Sequence, residues 1–408
     1  MNVATAKTKP VTGQHRFREI PRMRILYEGA IFQILRCGGV ARYFSELIHH
    51  LPESIEPVVL GPPGESSRIN HPQLKYISVQ TEPPVSWLRK WTRDRLQRQI
   101  IERFNAIDTD IEHWTYYGGL CRRPIVHSNR PLVVTVLDFI HEAYPSLDPS
   151  GKHVAMKTEA IRLADHLACI SQSTFNELCE RFPDARHKAS VVPLGTSLEN
   201  ITPAPIPSSL SRSPYVLFVG RRNNYKNFQV VWDAWCKLRG RRPKDAKLAI
   251  VGPPMKRREA SALNFNDDPS AVLLPNASDE LLRGLYEQAN AFIFPSKAEG
   301  FGLPSLEAMC AGTPVLVSDL PVMHEVVGND GYYFEPDDVD TVADMMLASL
   351  ENRLPDRDRI VESGKARAST FRWQATAERM AEVYIDVADE HSPSRPKATA
   401  HPVSCSTV

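Results

Sequence analysis

Short apolar runs alternate with amphipathic stretches along most of the chain. MRILYEG opens the series at residues 23–29. CGG at 37–39 then precedes VARYFSELIHHL, whose apolar positions recur at helical spacing. PVVLGP, DIEHW, PLVVTVLD and HLACIS continue the pattern. A second series begins with YVLFVG at 215–220 and runs through KLAIVGP, SAVLLP, AFIFPS and TPVLVSD, with helical patterns between. Strands that are apolar throughout and alternate with helices predict parallel sheets covered on both faces. The expected fold is therefore α/β, with two doubly wound, Rossmann-like domains. Such sheets bind ligands beyond the carboxyl ends of their strands, so two domains facing each other would hold a ligand in the cleft between them.

Residues 199–214, ENITPAPIPSSLSRSP, are rich in proline and serine and read as a linker. The expected domains are 22–198 and 215–372. The amphipathic stretch 373–390, WQATAERMAEVYIDVADE, predicts a helix able to cross back to the N-terminal domain. Residues 1–21 are polar, 391–408 are rich in Ser, Pro and Thr, and both are expected to be disordered.

Composition narrows the class. A chain of 408 residues is too long for one ordinary core. Its 42% hydrophobic and 24% charged content is that of a soluble globular protein. A formal net charge of +1 gives no global field toward nucleic acid or a membrane. The seven cysteines are scattered, with no CxxC pair, which points to a reducing compartment without a disulfide framework. No signal peptide and no apolar run near ~18 residues are visible, so a cytoplasmic location is expected.

The chemistry concentrates in SKAEGFGLPSLEAMCAGTPVLVSD, residues 296–319. AFIFPS reads as a buried strand and KAEGFGL as the loop after it. Pro304 suits a first helical turn, and Gly312 suits a C-terminal cap. Bare backbone N–H groups beside a helix N-terminus bind phosphate. Glu299 and Glu307, when ionised, only accept hydrogen bonds, so beside a phosphate they must face hydroxyls such as those of a sugar or a ribose diol. VGRRNNYKN adds Arg221 and Lys226 after a strand, two cations suited to a pyrophosphate. The plainer alternatives are a strand–turn–helix connection with solvated glutamates and an ordinary basic surface loop. Asp108-Thr109-Asp110 matches a metal-binding D-x-D pattern but reads better as a turn cap. In 86–104, Leu96, Ile100 and Phe104 share a stripe expected to be core. Trp87 and Trp91 with Arg89, Lys90 and Arg93 suit a lipid headgroup surface or a glycan, or a simply solvated face.

Glu299-Gly-Phe-Gly-Leu-Pro-Ser-Leu-Glu307-Ala-Met-Cys-Ala-Gly-Thr-Pro-Val resembles the signature of the retaining glycosyltransferases of family 4, which have the GT-B fold. ASDELLRGLYEQANAFIFPS, MHEVVG and Gly220-Arg221 to Lys226 are similar to neighbouring elements of that family. GGVARYFSEL, HWTYY and VVTVLDFIHEAYP resemble its N-terminal domain more loosely, most closely that of mannosyltransferase-like members. The resemblance implies transfer of a sugar from a nucleotide diphosphate sugar, such as GDP-mannose, to a saccharide or lipid-linked acceptor. It implies polysaccharide or glycoconjugate synthesis, no metal and no cofactor, with no nucleic-acid partner expected. It gives Glu307 the ribose hydroxyls and Glu299 the donor sugar. The amides of Gly302 and Leu303, within the loop containing Gly300 and Phe301, would hold the diphosphate with Arg221 and Lys226. Gly38 and Gly39 would approach the donor phosphate or acceptor. The family's His-Asp pair reads Leu137-Asp138 here. The backbone carbonyl of Leu137 keeps its implied role at the transition state, while the imidazole is lost; His141, four residues on, is an alternative whose plainer reading is structural. Other readings are a non-catalytic nucleotide-sugar-binding partner, or an epimerase or phosphorylase of the same architecture.

Overall fold

The computed structural model describes residues 22–34, 38–81, 89–120, 130–196, 198–222 and 224–391. Strands β1 (Met23–Glu28), β2 (Ile55–Gly61), β3 (Lys75–Ser78), β4 (Ile111–Trp114), β5 (Leu132–Val136), β6 (His166–Cys169) and β7 (Ala189–Val191) form one sheet in the order β3-β2-β1-β4-β5-β6-β7. β8 (Tyr215–Val219), β9 (Lys247–Gly252), β10 (Ala271–Pro275), β11 (Ala291–Phe294), β12 (Val315–Ser318) and β13 (Tyr332–Phe334) form the second, ordered β10-β9-β8-β11-β12-β13. Every neighbouring pair is parallel. Central strands such as β5, LVVTV, and β11, AFIF, are buried along their whole length, as apolar runs covered on both faces must be.

Both sheets reverse direction beside their first strand, between β1 and β4 and between β8 and β11. Loops leaving those strands bound the crevice where such sheets take ligands. The strand ends and these loops carry Glu28, Tyr116 and Tyr117 on one side, and Lys226, Glu299 and the glycines after it on the other.

The proline- and serine-rich linker is packed against the C-terminal domain. Ile206 and Leu210 are buried, and the Ala204 N–H donates to the Glu280 carbonyl at 2.8 Å. A Cβ at Gly284 would collide with the Ala204 carbonyl, so the helix Asp279–Gln288 receives this segment directly. The apolar residues between the prolines are what tie it down.

The last helix, Trp373–His391, lies on the N-terminal sheet's side and packs against the helix Gly39–His49 and β6. A buried polar network pins it. The Tyr384 hydroxyl meets that of Tyr27 at 2.8 Å and the His113 ring at 2.6 Å, and His113 meets Thr135 at 2.9 Å. Burial pushes the His113 imidazole down to about 3, so it stays neutral. The chain crosses between domains where Thr196 bridges to Arg372 and Gly195 lies against Trp373.

Ile100 and Phe104 are buried and Leu96 is partly buried, on the helix Arg89–Ala106. Trp87 and both tails lie outside the described residues, as do the side chains of Arg89, Lys90, Trp91 and Arg93. Among the described residues, no helix is long and apolar enough to cross a membrane.

Candidate active site

The stretch after β11 takes the strand–loop–helix form, and its glycines have two separate causes. Gly302 caps the helix Leu303–Ala311 at φ 95°, a left-handed conformation that favours glycine. A Cβ there would also strike Met323. Gly300 is needed for another reason: a Cβ would collide with the carbonyl oxygen of Leu137, across the cleft. Gly312 ends the helix at φ 81°. The N–H groups of Gly302 and Leu303 donate to no described residue, which leaves the first turn able to bind an anion.

The two glutamates sit in different environments. Glu299 pairs with Lys226, Nζ to Oε1 at 2.5 Å, with their side chains 10% and 19% exposed. Burial works against the Lys226 charge, but Glu299, together with Tyr225 and Asp138, outweighs it and the ammonium is held above its ordinary value. The Phe294 and Tyr225 rings lie beneath that ammonium, at 5.4 and 5.2 Å. Arg221 is exposed on the same loop, whereas Arg222 turns away to Glu259 at 2.7 Å.

Glu307 is buried on the helix face toward Asp279–Gln288, and burial raises its carboxyl above the usual range. It is held by a residue of the other domain. Arg42, one turn into the helix after Gly38-Gly39, donates to Oε1 at 2.7 Å and also pairs with Asp279. The Tyr286 hydroxyl donates to Oε2 at 3.3 Å. Gly38, at φ 151°, and Gly39 have open space where a Cβ would stand.

The N-terminal wall is built around Leu137-Asp138. The Asp138 carboxylate accepts from the Ile140 N–H at 3.0 Å, and its carbonyl accepts from Lys157 at 2.9 Å. The His141 ring lies 3.9 Å from that of His153, within a cluster completed by Tyr116 and Tyr117. Burial, and then His141, push His153 down to about 4. Further contacts close the cleft. Glu325 accepts from the N–H groups of Gln172 and Ser173 at 2.7 and 3.1 Å, a carboxylate at the positive end of the helix Gln172–Arg181. The Thr174 hydroxyl reaches the Gly300 carbonyl at 3.3 Å, and Tyr144 stacks obliquely on Tyr225 at 5.9 Å.

The structure thus gathers Lys226, Glu299, the 300–303 loop, Leu137 and Asp138 at one point of the cleft, with Glu307 beside Arg42 nearby. Reading the sequence missed Arg42, Asp279, Tyr286, Tyr117 and Lys157. Arg42 stood within GGVARYF, directly behind glycines already singled out. Lys157 had a signal too: a lysine sharing its helix face with Ala160 and Ile161, both buried. Among the described residues, no group of three His, Cys, Asp or Glu side chains is placed to hold a metal ion.

Two family models match, glycosyltransferase family 4 over residues 37–200 and glycosyl transferases group 1 over residues 205–367. The chain is 43% identical over 96 residues to the O-antigen chain mannosyltransferase B of Escherichia coli, covering 24% of this chain and 25% of that one. It is 29% identical over 282 residues to the D-inositol 3-phosphate glycosyltransferase of Nocardia farcinica, covering 64% of this chain and 61% of the relative. These matches therefore span from a quarter to about three fifths of the relatives' lengths. The sucrose-phosphate synthase of Thermosynechococcus elongatus superposes with a TM-score of 0.70 at 19% identity, over 90% of this chain and 99% of that one.

Proposed function

The chain belongs to the group 1 glycosyltransferases of family 4, and on that premise we propose that it moves mannose from GDP-mannose to a saccharide or lipid-linked saccharide acceptor. In this reading transfer retains the anomeric configuration and needs no metal ion. The observation that carries it is the Lys226–Glu299 pair beside the glycine loop, whose Gly300 lies against the Leu137 carbonyl of the other domain.

The roles follow from charge and reach. Lys226, with Arg221 and the N–H groups of Gly302 and Leu303, neutralises the diphosphate as it departs. Glu299 exchanges its lysine for a hydroxyl of the donor sugar. The leaving phosphate oxygen takes the acceptor proton on the same face, so no protein nucleophile is required. The protein's contribution is positioning and charge stabilisation. Glu307 takes the ribose hydroxyls, which requires Arg42 to move off it. Asp279 is freed by the same movement. A carboxylate beside the ribose suits guanine, which offers adjacent N1–H and N2–H donors, better than uracil, which offers one. The mannosyltransferase relative supports the choice of sugar. The proposed location is the cytoplasm, with a peripheral lipid contact through Trp87, Trp91 and the basic residues beside them.

Thermal-shift titration with GDP, UDP and ADP, followed by GDP release from GDP-mannose with and without EDTA, tests this reading. At 100 times its Kd a ligand stabilises by about 2.7 kcal/mol. A GDP-selective shift and EDTA-insensitive release are expected. A selective UDP shift overturns the donor. GDP binding without any release identifies a binding partner of a transferase, with Leu137 as its defect.

A further inference from the structure

Leu137 brings no reactive group, yet the backbone on both sides of it is held by side chains from two other elements. Its N–H donates to the Tyr117 hydroxyl at 3.0 Å. The next residue's carbonyl, that of Asp138, accepts from the Lys157 ammonium at 2.9 Å. The carbonyl between these two anchors, that of Leu137 itself, receives a hydrogen bond from no described residue. It lies against Gly300 of the opposite domain, which covers it, and Leu137 as a residue is buried. Buried carbonyls are nearly always paired, and leaving one unpaired costs free energy. Something must hold it in that orientation.

The anchors are themselves secured. Lys157 is fully buried, and its ammonium makes a second bond to Glu142 at 2.8 Å. The Tyr117 and Phe139 rings lie against it at 5.3 and 5.0 Å. An apolar residue would fill this place at lower desolvation cost, because a buried ammonium needs partners to be tolerated at all. Tyr117 rides on a loop tied to β1, where the Thr115 hydroxyl donates to the Glu28 carbonyl at 2.6 Å and the Leu120 N–H donates to the Glu28 carboxyl group.

We infer that Tyr117 and Lys157 are positioning residues, which hold the 137–138 backbone so that the Leu137 carbonyl faces the anomeric centre of a donor sugar lying over the Gly300 loop. The inference rests on the reading above that this cleft holds a nucleotide sugar. Positive charge developing on the sugar is met by an oriented backbone oxygen already in place. The role uses a main-chain atom alone, so leucine serves at position 137.

Tyr117→Phe removes one oxygen and keeps the ring; Lys157→Met removes the ammonium at similar length. For each, GDP release from GDP-mannose, GDP affinity and melting temperature are measured beside wild type. The expected result is a kcat lowered about tenfold or more, toward the hundredfold that a misplacement of about 1 Å can cost, with KM and GDP affinity held within about twofold. If Lys157→Met does not fold, Tyr117→Phe carries the test alone. Wild-type kcat in the variants overturns the inference, as does a kcat loss that tracks a lowered melting temperature and weakened GDP affinity. No GDP release by wild type removes the transferase reading and this inference with it. An active wild type with unaffected variants removes this inference only.

Discussion

The two walls of the cleft are assembled in opposite ways. On the C-terminal wall one continuous stretch, 291–312, supplies the strand end, the glycine loop, the helix N-terminus and both glutamates, and Arg221 and Lys226 are added from the loop after β8. On the N-terminal wall the residues come from separate elements: Arg42 from the helix after the glycines, Tyr117 from the loop after β4, Leu137 and Asp138 from the loop after β5, and Lys157 from the helix Lys152–Leu163. Binding a charged, invariant part of a ligand suits a compact local motif. Shaping the space around the reacting sugar needs groups brought together from several directions. The C-terminal wall is therefore expected to govern nucleotide affinity, with Glu299, at the proposed sugar position, its exception, and the N-terminal wall turnover.

The largest expected effect tests the affinity side. Lys226→Ala removes the proposed charge-assisted phosphate contact, a kind worth about 1.5–3 kcal/mol. GDP affinity by calorimetry should fall accordingly, and unchanged affinity would remove the lysine from the phosphate site. Glu299→Ala should act differently, lowering turnover of GDP-mannose while GDP itself binds nearly as before. Equal losses for GDP and for turnover would move Glu299 from the sugar to the nucleotide.

Arg42 blurs the division, because an N-terminal residue occupies Glu307, the carboxylate proposed for the ribose. If the nucleotide must displace it, Arg42→Gln raises the competent fraction and tightens GDP binding, by about two- to tenfold. Weaker binding in that variant would mean that Arg42 contacts the nucleotide instead of competing with it.

A smaller effect concerns the N-terminal wall alone. Burial raises the Glu28 carboxyl from its ordinary 4.5 to about 8. The folded state then binds more protons than the unfolded chain between those limits, so this group's contribution to stability is lost as pH rises from about 4.5 through 8. Glu28→Gln should flatten the decline in melting temperature between about pH 6 and 8. An identical slope in both proteins would show that other groups set it. The smallest expected effect is at the membrane: flotation on anionic liposomes should fall modestly in Trp87→Ala/Trp91→Ala, and equal recovery would end the idea of a lipid contact.

The same contrast explains what the sequence could reveal. Alternating apolar strands and helices were legible because burial on both faces leaves a continuous apolar signature in each strand. Glu299, Glu307 and the glycines were legible because their spacing is local. The pairing of Glu307 with Arg42 was not, since 265 residues separate partners that only domain closure brings together. The reason for Gly300 was hidden likewise: the atom it must avoid belongs to Leu137, in the other domain. The packing of the proline- and serine-rich linker was hidden for a related reason, because Ile206 and Leu210 declare themselves only once a helix is there to bury them. Lys157 is the intermediate case, since a cation on an apolar helix face demands a buried partner, and that demand is written in the local spacing.

The most direct test of the nucleotide site is calorimetric titration of GDP into wild type and Glu307→Ala. Clear binding to wild type and a loss of affinity in the variant are predicted, because the ribose hydroxyls lose their acceptor. Equal affinity in the two proteins would contradict the assignment, and would place the nucleotide somewhere other than the glutamate helix of the C-terminal domain.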